Sequence, residues 1–353
     1  MTDLAPLPLS VLDVAPVTEG ATPADALQAT RDLARHVDRL GFTRYWMAEH
    51  HSMPGIASSS PAVVLAALGA ATERIRIGSG GVMLPNHPPL VVAEQFGTLE
   101  ALYPGRVDLG IGRAPGTDGV TARALRRTAG PLSADEFPEQ LGELLAFFEG
   151  EFPAGHPYQR VTAVPGSGAS PPLWLLGSSG YSAQVAGMLG RPFAFAHHFS
   201  ADSTLPALEL YRSSFRPSKV LDRPYAMIAV QVVCAADDAT AAWLAAPAAL
   251  SFIRLRSGQP GRLPTPEGAA AHPWTEGERE WAAERQASQA VGGPETVRAR
   301  LAELLAATRA DELMVTTMIG DPAETRASMT RVRELFGDAP LPPGLDAAAQ
   351  SSR

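Results

Sequence analysis

Short apolar runs alternate with longer segments of helical period along nearly the whole chain, and this repeat limits the possible folds more than any other feature. Such alternation is typical of repeated βα units that build a parallel sheet. Eight runs are predicted as strands, at 7–17, 43–48, 75–84, 107–112, 173–177, 193–197, 226–235 and 312–317. Because eight parallel strands can close on themselves, we expect an α/β fold with one (β/α)8 TIM barrel over residues 1–337.

The predicted helices fill the gaps between these strands. The first spans about 23–40, since Thr22 offers an N-cap, Pro23 suits the first helical position and Gly41 can end the helix. The last begins after Asp321, with Pro322 in its first turn. Further helices are predicted from 61, over 90–102, 137–148 and 183–189, and from 294.

Two segments do not fit the repeat. The stretch 255–281 is rich in glycine, proline and charge and is too long for a plain connection, so we expect a lid-like insertion or a disordered loop. Residues 338–353 are rich in proline and alanine and are expected to form a loose C-terminal tail.

Composition excludes several classes of function. With 29 Lys and Arg against 37 Asp and Glu, the net charge is −8, which argues against a nucleic-acid or anionic-membrane partner. The single cysteine, Cys234, excludes an intramolecular disulfide and a thiolate metal site. No basic leader and no uncharged apolar run of about 20 residues is present, so a cytoplasmic protein without a membrane span is expected.

In such barrels the chemistry lies at the carboxyl ends of the strands, and the second strand ends in Glu49-His50-His51. Histidine is well suited to move protons near neutral pH. Neighbours on an extended strand point in opposite directions, so one histidine should face the cavity while the other braces against Glu49. Surface or packing histidines are the alternative, and a metal site is not expected because no histidine pair has i, i+4 spacing.

The third strand carries Gly78, Gly80 and Gly81, a density of glycine that indicates either close approach of a ligand or tight packing at the barrel corner. Arg113 follows the fourth strand in a glycine-rich turn, where it suits a phosphate or an exposed ion pair. The Ser/Gly turn 178–182 leads into a helix and could bind an anion through its amides and hydroxyls.

Other chemistries find no support in the sequence. There is no Gly-x-Ser-x-Gly elbow, and Cys234 lies within an apolar strand, so hydrolysis through a nucleophile is disfavoured. The only lysine, Lys219, falls in a predicted loop, which disfavours the Schiff base of an aldolase. No Walker motif or dinucleotide fingerprint follows a strand.

Four landmarks occur in order along the chain: Glu49-His50-His51, GSGGVMLP at 78–85, VDLGIGR at 107–113 preceded by YPGR, and LWLLGSS at 173–179. Together they resemble the bacterial luciferase-like family of flavin-dependent monooxygenases. The resemblance implies an enzyme that takes reduced FMN from a separate reductase and uses molecular oxygen to oxidise a small organic substrate, such as an aldehyde or a secondary metabolite. It also implies a homodimer.

The resemblance assigns roles to particular residues. His50 corresponds to the family histidine that lies near the flavin ring and handles a proton. Gly80 and Gly81 correspond to a bulge with a non-proline cis peptide against that ring, and Arg113 corresponds to a phosphate contact. The turn formed by Ser178, Ser179, Gly180, Tyr181 and Ser182 corresponds to the amides and hydroxyls that hold the flavin phosphate. On the substrate side we expect His51, Asn86, His197 and His198.

The chain departs from the luciferase α-chain at three points, which bear on substrate range. Gly112 stands where that chain has a cysteine, Ser178 where it has an acidic residue, and His197-His198 where it has a tryptophan region. None of these changes removes a residue expected to hold the flavin. Two alternatives stay open: a deazaflavin-dependent dehydrogenase on the same barrel, and a non-catalytic flavin-binding protein.

Overall fold

A closed barrel of parallel strands forms the centre of the computed structural model, which describes residues 4–114, 117–126 and 136–337. Around the barrel the order is β1 (Leu9–Asp13), β2 (Arg44–Met47), β3 (Arg76–Ser79), β5 (Val107–Gly112), β6 (Leu173–Gly177), β7 (Phe193–Phe195), β8 (Ala226–Cys234) and β10 (Glu312–Thr316). Strand β10 pairs with both β8 and β1, which closes the cylinder. The eight-stranded parallel barrel predicted from the sequence is therefore confirmed.

Two short strands lie outside this simple order. Strand β4 (Val82–Met83) pairs with β5 beyond the point where β3 ends, so the predicted strand 75–84 is interrupted at Gly80 and Gly81. Strand β9 (Ala290–Gly292) pairs in parallel with the last three residues of β8, beginning with Val232 opposite Ala290. β9 was not predicted, because three residues are too short for a periodic signal.

The helices lie between the strands and cover the barrel. They are α1 (Pro23–Arg39), α2 (Pro61–Ala71), α3 (Pro89–Leu102), α4 (Gly119–Arg126), α5 (Phe137–Glu149), α6 (Gly180–Met188), α7 (Thr204–Ser214), α8 (Asp238–Arg256), α9 (Pro266–Ala271), α10 (Glu276–Ala287), α11 (Pro294–Thr308) and α12 (Pro322–Glu334). Thr22 caps α1 as predicted: its hydroxyl accepts a hydrogen bond from the Asp25 N–H, and the Asp25 carboxylate accepts one from the Thr22 N–H. Among the described residues, no helix is long and apolar enough to cross a membrane.

About half of the segment 255–281 is helical. It contains the end of α8, all of α9 and the first half of α10, and the last two helices each begin at a threonine whose hydroxyl accepts an N–H three residues later, Thr265 from Gly268 and Thr275 from Glu278. Leu263 N–H donates to the carbonyl of Val17, which ties the segment to the loop after β1. Its movement as a lid stays a prediction. The predicted tail 338–353 lies outside the described residues.

A cluster of buried charged residues fills the end of the barrel where the strands begin. Arg44 donates to Asp108 at 2.8 Å and to Glu312 at 2.9 Å, and Arg76 donates to Asp108 at 2.8 Å. Burial alone would raise the pKa of the Asp108 carboxyl, but the charges of Arg44 and Arg76 outweigh burial and lower it. These ion pairs lie at the end of the barrel away from the strand-end histidines, so their role is structural.

Candidate active site

A cavity of about 390 Å³ opens at the carboxyl ends of the barrel strands. Every barrel strand or the loop after it contributes to its lining, and the apolar part includes Leu12, Trp46, Leu176 and Met314. A second cavity, of about 440 Å³, lies beside α1 and α12, and its lining contains neither His50 nor Arg113. The predicted chemistry therefore belongs to the cavity at the strand ends.

The adjacent histidines after β2 lie in different surroundings. His50 lines the cavity, and its backbone N–H donates to the carbonyl of Ser58 at 3.1 Å, which holds the following loop against the strand end. His51 is outside the cavity lining, and its Nε2 lies 2.8 Å from Oε1 of Glu49. Both residues lie in the loop after Met47, where β2 ends, and the contact with Glu49 holds His51 away from the cavity.

Glu49 is buried, and its carboxylate contacts residues that follow β2 and β3. Its Oε1 also lies 2.7 Å from Nε2 of His87, and its Oε2 accepts the backbone N–H of Met83 at 3.1 Å. Burial raises the pKa of Glu49, but the hydrogen bonds from His51, His87 and Met83 outweigh burial and lower it to about 2. The carboxylate is therefore ionised at neutral pH and fixes β4 relative to the end of β2. Sequence reasoning missed His87.

Glu49, His51 and His87 also form a group of the composition that binds divalent metals, since their ligand atoms lie within 4.8 Å of one another. The contacts that the structure shows between them are direct hydrogen bonds. The expectation of no metal site thus stays a prediction.

The Gly80–Gly81 peptide bond is cis, as the resemblance implied, and both residues line the cavity. A Cβ on Gly81 would lie 2.8 Å from the backbone carbonyl oxygen of Gly110, so glycine is required at this position. A Cβ on Gly80 would lie 2.5 Å from Cδ1 of Leu12, a side-chain end that also lines the cavity, so a side chain there would displace Leu12. Both residues present bare backbone to the cavity.

Arg113, directly after β5, places its guanidinium 4.2 Å from the centroid of the Tyr181 ring. It lines the cavity, and no carboxylate among the described residues pairs with it. The ion pair considered from the sequence is thus not formed there. The aromatic face orients the positive group and leaves its hydrogen-bond donors available to a ligand.

The serine turn after β6 borders the cavity. Ser178, Ser179 and Ser182 line it, whereas Gly180 and Tyr181 take the first two positions of α6 and do not. Ser179 is the N-cap, and its side chain makes no capping hydrogen bond. The first amides of a helix have no acceptor within the helix, so an anion placed here would meet amides, hydroxyls and the favourable end of the dipole. The helix predicted at 183–189 begins earlier, at Gly180.

Of the four residues expected on the substrate side, only His198 lines the cavity. Its Nδ1 donates to the carbonyl of Ala229 at 3.0 Å, and burial, which is the largest cause, lowers the pKa of His198 to about 4. His51 is held at Glu49, and Asn86 is buried beside the same carboxylate with Nδ2 3.5 Å from Oε1. His197 is buried, with Nδ1 2.8 Å from Oγ1 of Thr204 and Nε2 3.1 Å from the Ser288 carbonyl. These hydrogen bonds keep the three side chains out of the cavity.

The wall opposite the strands includes Leu255, Pro260 and Gly261, which fall in the segment 255–281 expected to form a lid. Sequence reasoning missed Phe252 of α8 and Arg285 of α10, which line the same wall. The stretch around Arg285 carries charge without an apolar face, and α10 has no buried residue. The capping box of Thr275 and Glu278 was the available signal for this helix.

The donor set of the cavity fits a flat ring that carries a phosphate. Bare backbone at Gly80 and Gly81 and apolar side chains such as Leu176 form the part suited to a ring. Arg113 and the serine turn supply the cationic and hydrogen-bonding groups suited to a phosphate. Both parts border one cavity.

Residues 9–338 match the family model described as luciferase-like monooxygenase. The chain is 48% identical over 328 residues to the uncharacterized protein YvbT of Bacillus subtilis (strain 168), covering 93% of this chain and 96% of that protein. It is 46% identical over 322 residues to a luciferase-like monooxygenase of Escherichia coli (strain K12), covering 91% of this chain and 94% of that protein.

Solved structures show the same fold. The crystal structure of apo-MsnO8 superposes with a TM-score of 0.86 at 38% identity, covering 95% of this chain and 100% of that one. The oxygenating constituent of 3,6-diketocamphane monooxygenase from Pseudomonas putida, in complex with FMN, gives a TM-score of 0.71 at 18% identity, with 95% and 100% covered. An F420-dependent secondary alcohol dehydrogenase gives 0.66 at 17% identity, with 94% and 100% covered. At these lower identities the likeness establishes the fold alone.

Proposed function

Because this chain belongs to the luciferase-like monooxygenase family, we propose that it is an FMN-dependent monooxygenase that oxidises an organic substrate with molecular oxygen. The observation that carries the proposal is the placement of His50, the cis Gly80–Gly81 peptide, Arg113 and the serine turn around one cavity. Since no dinucleotide fingerprint is present in the sequence, the reduced FMN is proposed to come from a separate reductase.

Arg113 and the turn residues Ser178, Ser179 and Ser182 would hold the FMN phosphate. A guanidinium offers two parallel N–H donors to an oxyanion, and the amides at the start of α6 add further donors. The backbone at Gly80–Gly81 would lie against the ring, where a side chain at either position would change the packing.

Bound reduced FMN supplies the two electrons that reduce one oxygen atom of O2 to water while the other atom enters the organic substrate. His50 would exchange a proton with the reacting groups, because it is the histidine of the pair that lines the cavity. The contact between His51 and Glu49 would keep the strand end, and with it His50, in a fixed position.

Leu255, Pro260 and Gly261 would exclude water from the reacting centre, since they close the cavity on the side away from the strands. We propose that the segment 255–281 acts as the lid that admits the substrate. From the family resemblance we also propose a homodimer, which the mass of the protein in solution tests.

Reconstitution under ¹⁸O2 tests the function. The protein is loaded with photoreduced FMN, mixed with ¹⁸O2 and a set of organic substrates, and the products are analysed by mass spectrometry. We expect one ¹⁸O atom per product molecule. Substrate oxidation only with an oxidised deazaflavin as the hydride acceptor, and no ¹⁸O in the product, would instead identify a dehydrogenase. Tight FMN binding without oxidation of any substrate would identify a flavin-binding protein.

A further inference from the structure

Arg285 places a positive charge in the cavity without an acidic partner. It lies on α10, and its guanidinium carbon is 3.9 Å from the centroid of the Phe252 ring and 5.9 Å from that of Trp281. None of the salt bridges formed among the described residues includes Arg285. The two rings stack on each other at 5.0 Å with an interplanar angle of 7°, so the arginine rests on a rigid aromatic support.

The guanidinium is on the cavity side of α10. Phe252, the ring it covers most closely, lines the same cavity, as does His198. The charge of Arg285 adds to burial in lowering the pKa of His198, which places the two groups near each other. The histidine beside the guanidinium is therefore neutral at pH 7 and does not compete for an anion.

Among the described residues, no carboxylate pairs with this charge. Burial lowers the pKa of Arg285, and no neighbouring carboxylate among the described residues opposes that effect. Arginine stays protonated in proteins, so the group remains a cation with unused N–H donors. A cation–π contact with Phe252 offsets only part of the loss of water. Such a group is a natural partner for an anion that enters the cavity.

The phosphate of the cofactor is already assigned to another wall. Arg113 and the serine turn lie at the ends of β5 and β6. Arg285 instead lies over α8 and beside His198, which follows β7. The apolar lining, which includes Leu12, Leu176 and Met314, lies between the strand ends. One cationic group is thus left for the second molecule that the cavity must hold.

We propose that Arg285 binds the carboxylate of the organic substrate, so that this enzyme acts on small organic acids with an apolar body. The proposal rests on the proposed function, because it assumes that the same cavity holds the flavin. A guanidinium matches a carboxylate with two parallel hydrogen bonds, and Phe252 and Trp281 hold the fork in one orientation. The apolar body would then point toward the strand ends, where His50 and Gly81 lie.

Binding of matched acid and amide probes tests the proposal. Butanoate, hexanoate, octanoate and benzoate are each compared with their primary amides by calorimetry, on protein alone and on protein loaded with FMN. We expect the wild type to bind at least one acid about tenfold or more tightly than its amide, the scale of a charge-assisted hydrogen bond. The proposal would be overturned if no acid binds more tightly than its own amide, which includes the case in which neither the acids nor the amides bind.

Variants identify the group responsible. Arg285→Met keeps the length but removes the charge, and it should abolish the preference for the acid, whereas Arg285→Lys should retain part of it. Arg256→Met is the matched control, since Arg256 also lies near the Trp281 ring, at 5.6 Å, but is outside the cavity lining. A preference that survives in Arg285→Met while that variant keeps the wild-type melting temperature would overturn the proposal.

The affinity for FMN, measured by fluorescence quenching, separates this proposal from the proposed function. Loss of FMN affinity in Arg285→Met by about tenfold or more, without a change in acid preference, would assign the arginine to the phosphate and overturn the proposal. Absence of FMN binding by the wild type would contradict the proposed function. The acid preference of the protein alone would still decide the role of Arg285.

Discussion

Nε2 of His51 lies 2.8 Å from Oε1 of Glu49, while the preceding residue, His50, lines the cavity at the strand ends. Two chemically identical neighbours therefore have different surroundings, one held by a buried carboxylate and the other facing the space where a ligand fits. Because His50 lies between Glu49 and His51 in the chain, this contact also restricts the backbone of His50. This relationship assigns different effects to substitution of the two histidines.

Replacing His50 with alanine should lower turnover by about 100-fold or more, which is the usual scale for a proton-transfer group. FMN affinity should stay within a few-fold of wild type, because the phosphate donors are elsewhere in the cavity. Single-turnover kinetics and FMN titration measure the two quantities. His51→Asn is the neighbouring control and should reduce turnover less. Wild-type turnover in His50→Ala would remove this residue from the mechanism.

Replacing Arg113 with alanine should weaken FMN binding by about 10- to 100-fold, since it removes a charge-assisted contact to the phosphate. Fluorescence quenching gives the dissociation constant. Arg256→Ala, which removes an arginine outside the cavity lining, should leave it unchanged. An unaltered dissociation constant in Arg113→Ala would reassign Arg113 to packing on Tyr181.

Glu49→Gln should destabilise the protein by about 1–3 kcal/mol at neutral pH, because the hydrogen bonds from His51 and His87 lose their charged acceptor. The pKa of Glu49 is lowered to about 2, so its contribution to stability is present above pH 4.5 and is lost as the pH falls toward 2. Urea unfolding at several pH values measures the effect. If the difference in free energy of unfolding between variant and wild type does not shrink below pH 4.5, the Glu49 carboxylate does not have this stabilising role.

His198 should make the protein less stable as the pH falls. Its folded-state pKa is lowered to about 4 from an ordinary value of 6.5, so the unfolded chain binds a proton in this range while the folded chain does not. The free energy of unfolding should therefore fall between pH 6.5 and 4 by roughly 2–3 kcal/mol from this group. His198→Asn should flatten that part of the profile. An identical profile in the variant would show that His198 does not titrate as described.

Asp108→Asn should destabilise the barrel by about 3–5 kcal/mol, because it removes the carboxylate that pairs with Arg76 and leaves Arg44 with Glu312 alone at a buried site. Chemical denaturation measures the loss, and the turnover of the folded variant should equal that of wild type. A large loss of turnover in folded Asp108→Asn would mean that the amino-terminal charges act on the cavity.

The barrel could be predicted from the sequence because parallel strands, buried on both faces, appear as continuous apolar runs such as the one that becomes β8. The ends of strands were less accurate. The run at 7–17 yields only Leu9–Asp13, since apolar residues continue into the loop that lines the cavity.

Residues that line the cavity could be predicted where one local pattern marks them, as at His50, Gly80–Gly81, Arg113 and the serines of the turn after β6. Their roles stay predictions. Residues that depend on distant partners were misplaced or missed. The ring of His197 contacts the carbonyl of Ser288, which is 91 positions away, and lies outside the cavity lining. The side chain of Asn86 lies beside Glu49. Arg285 lies on a helix with no buried residue, so no periodic signal marks its cavity side.

Anaerobic calorimetric titration tests whether the cavity at the strand ends holds reduced FMN. The protein is titrated in parallel with reduced FMN and with a reduced deazaflavin cofactor, and no substrate is needed. We expect reduced FMN to bind with one molecule per chain and more tightly than the deazaflavin, with this binding weakened in Arg113→Ala. Binding of the deazaflavin alone, or no binding of reduced FMN, would contradict this assignment of the cavity.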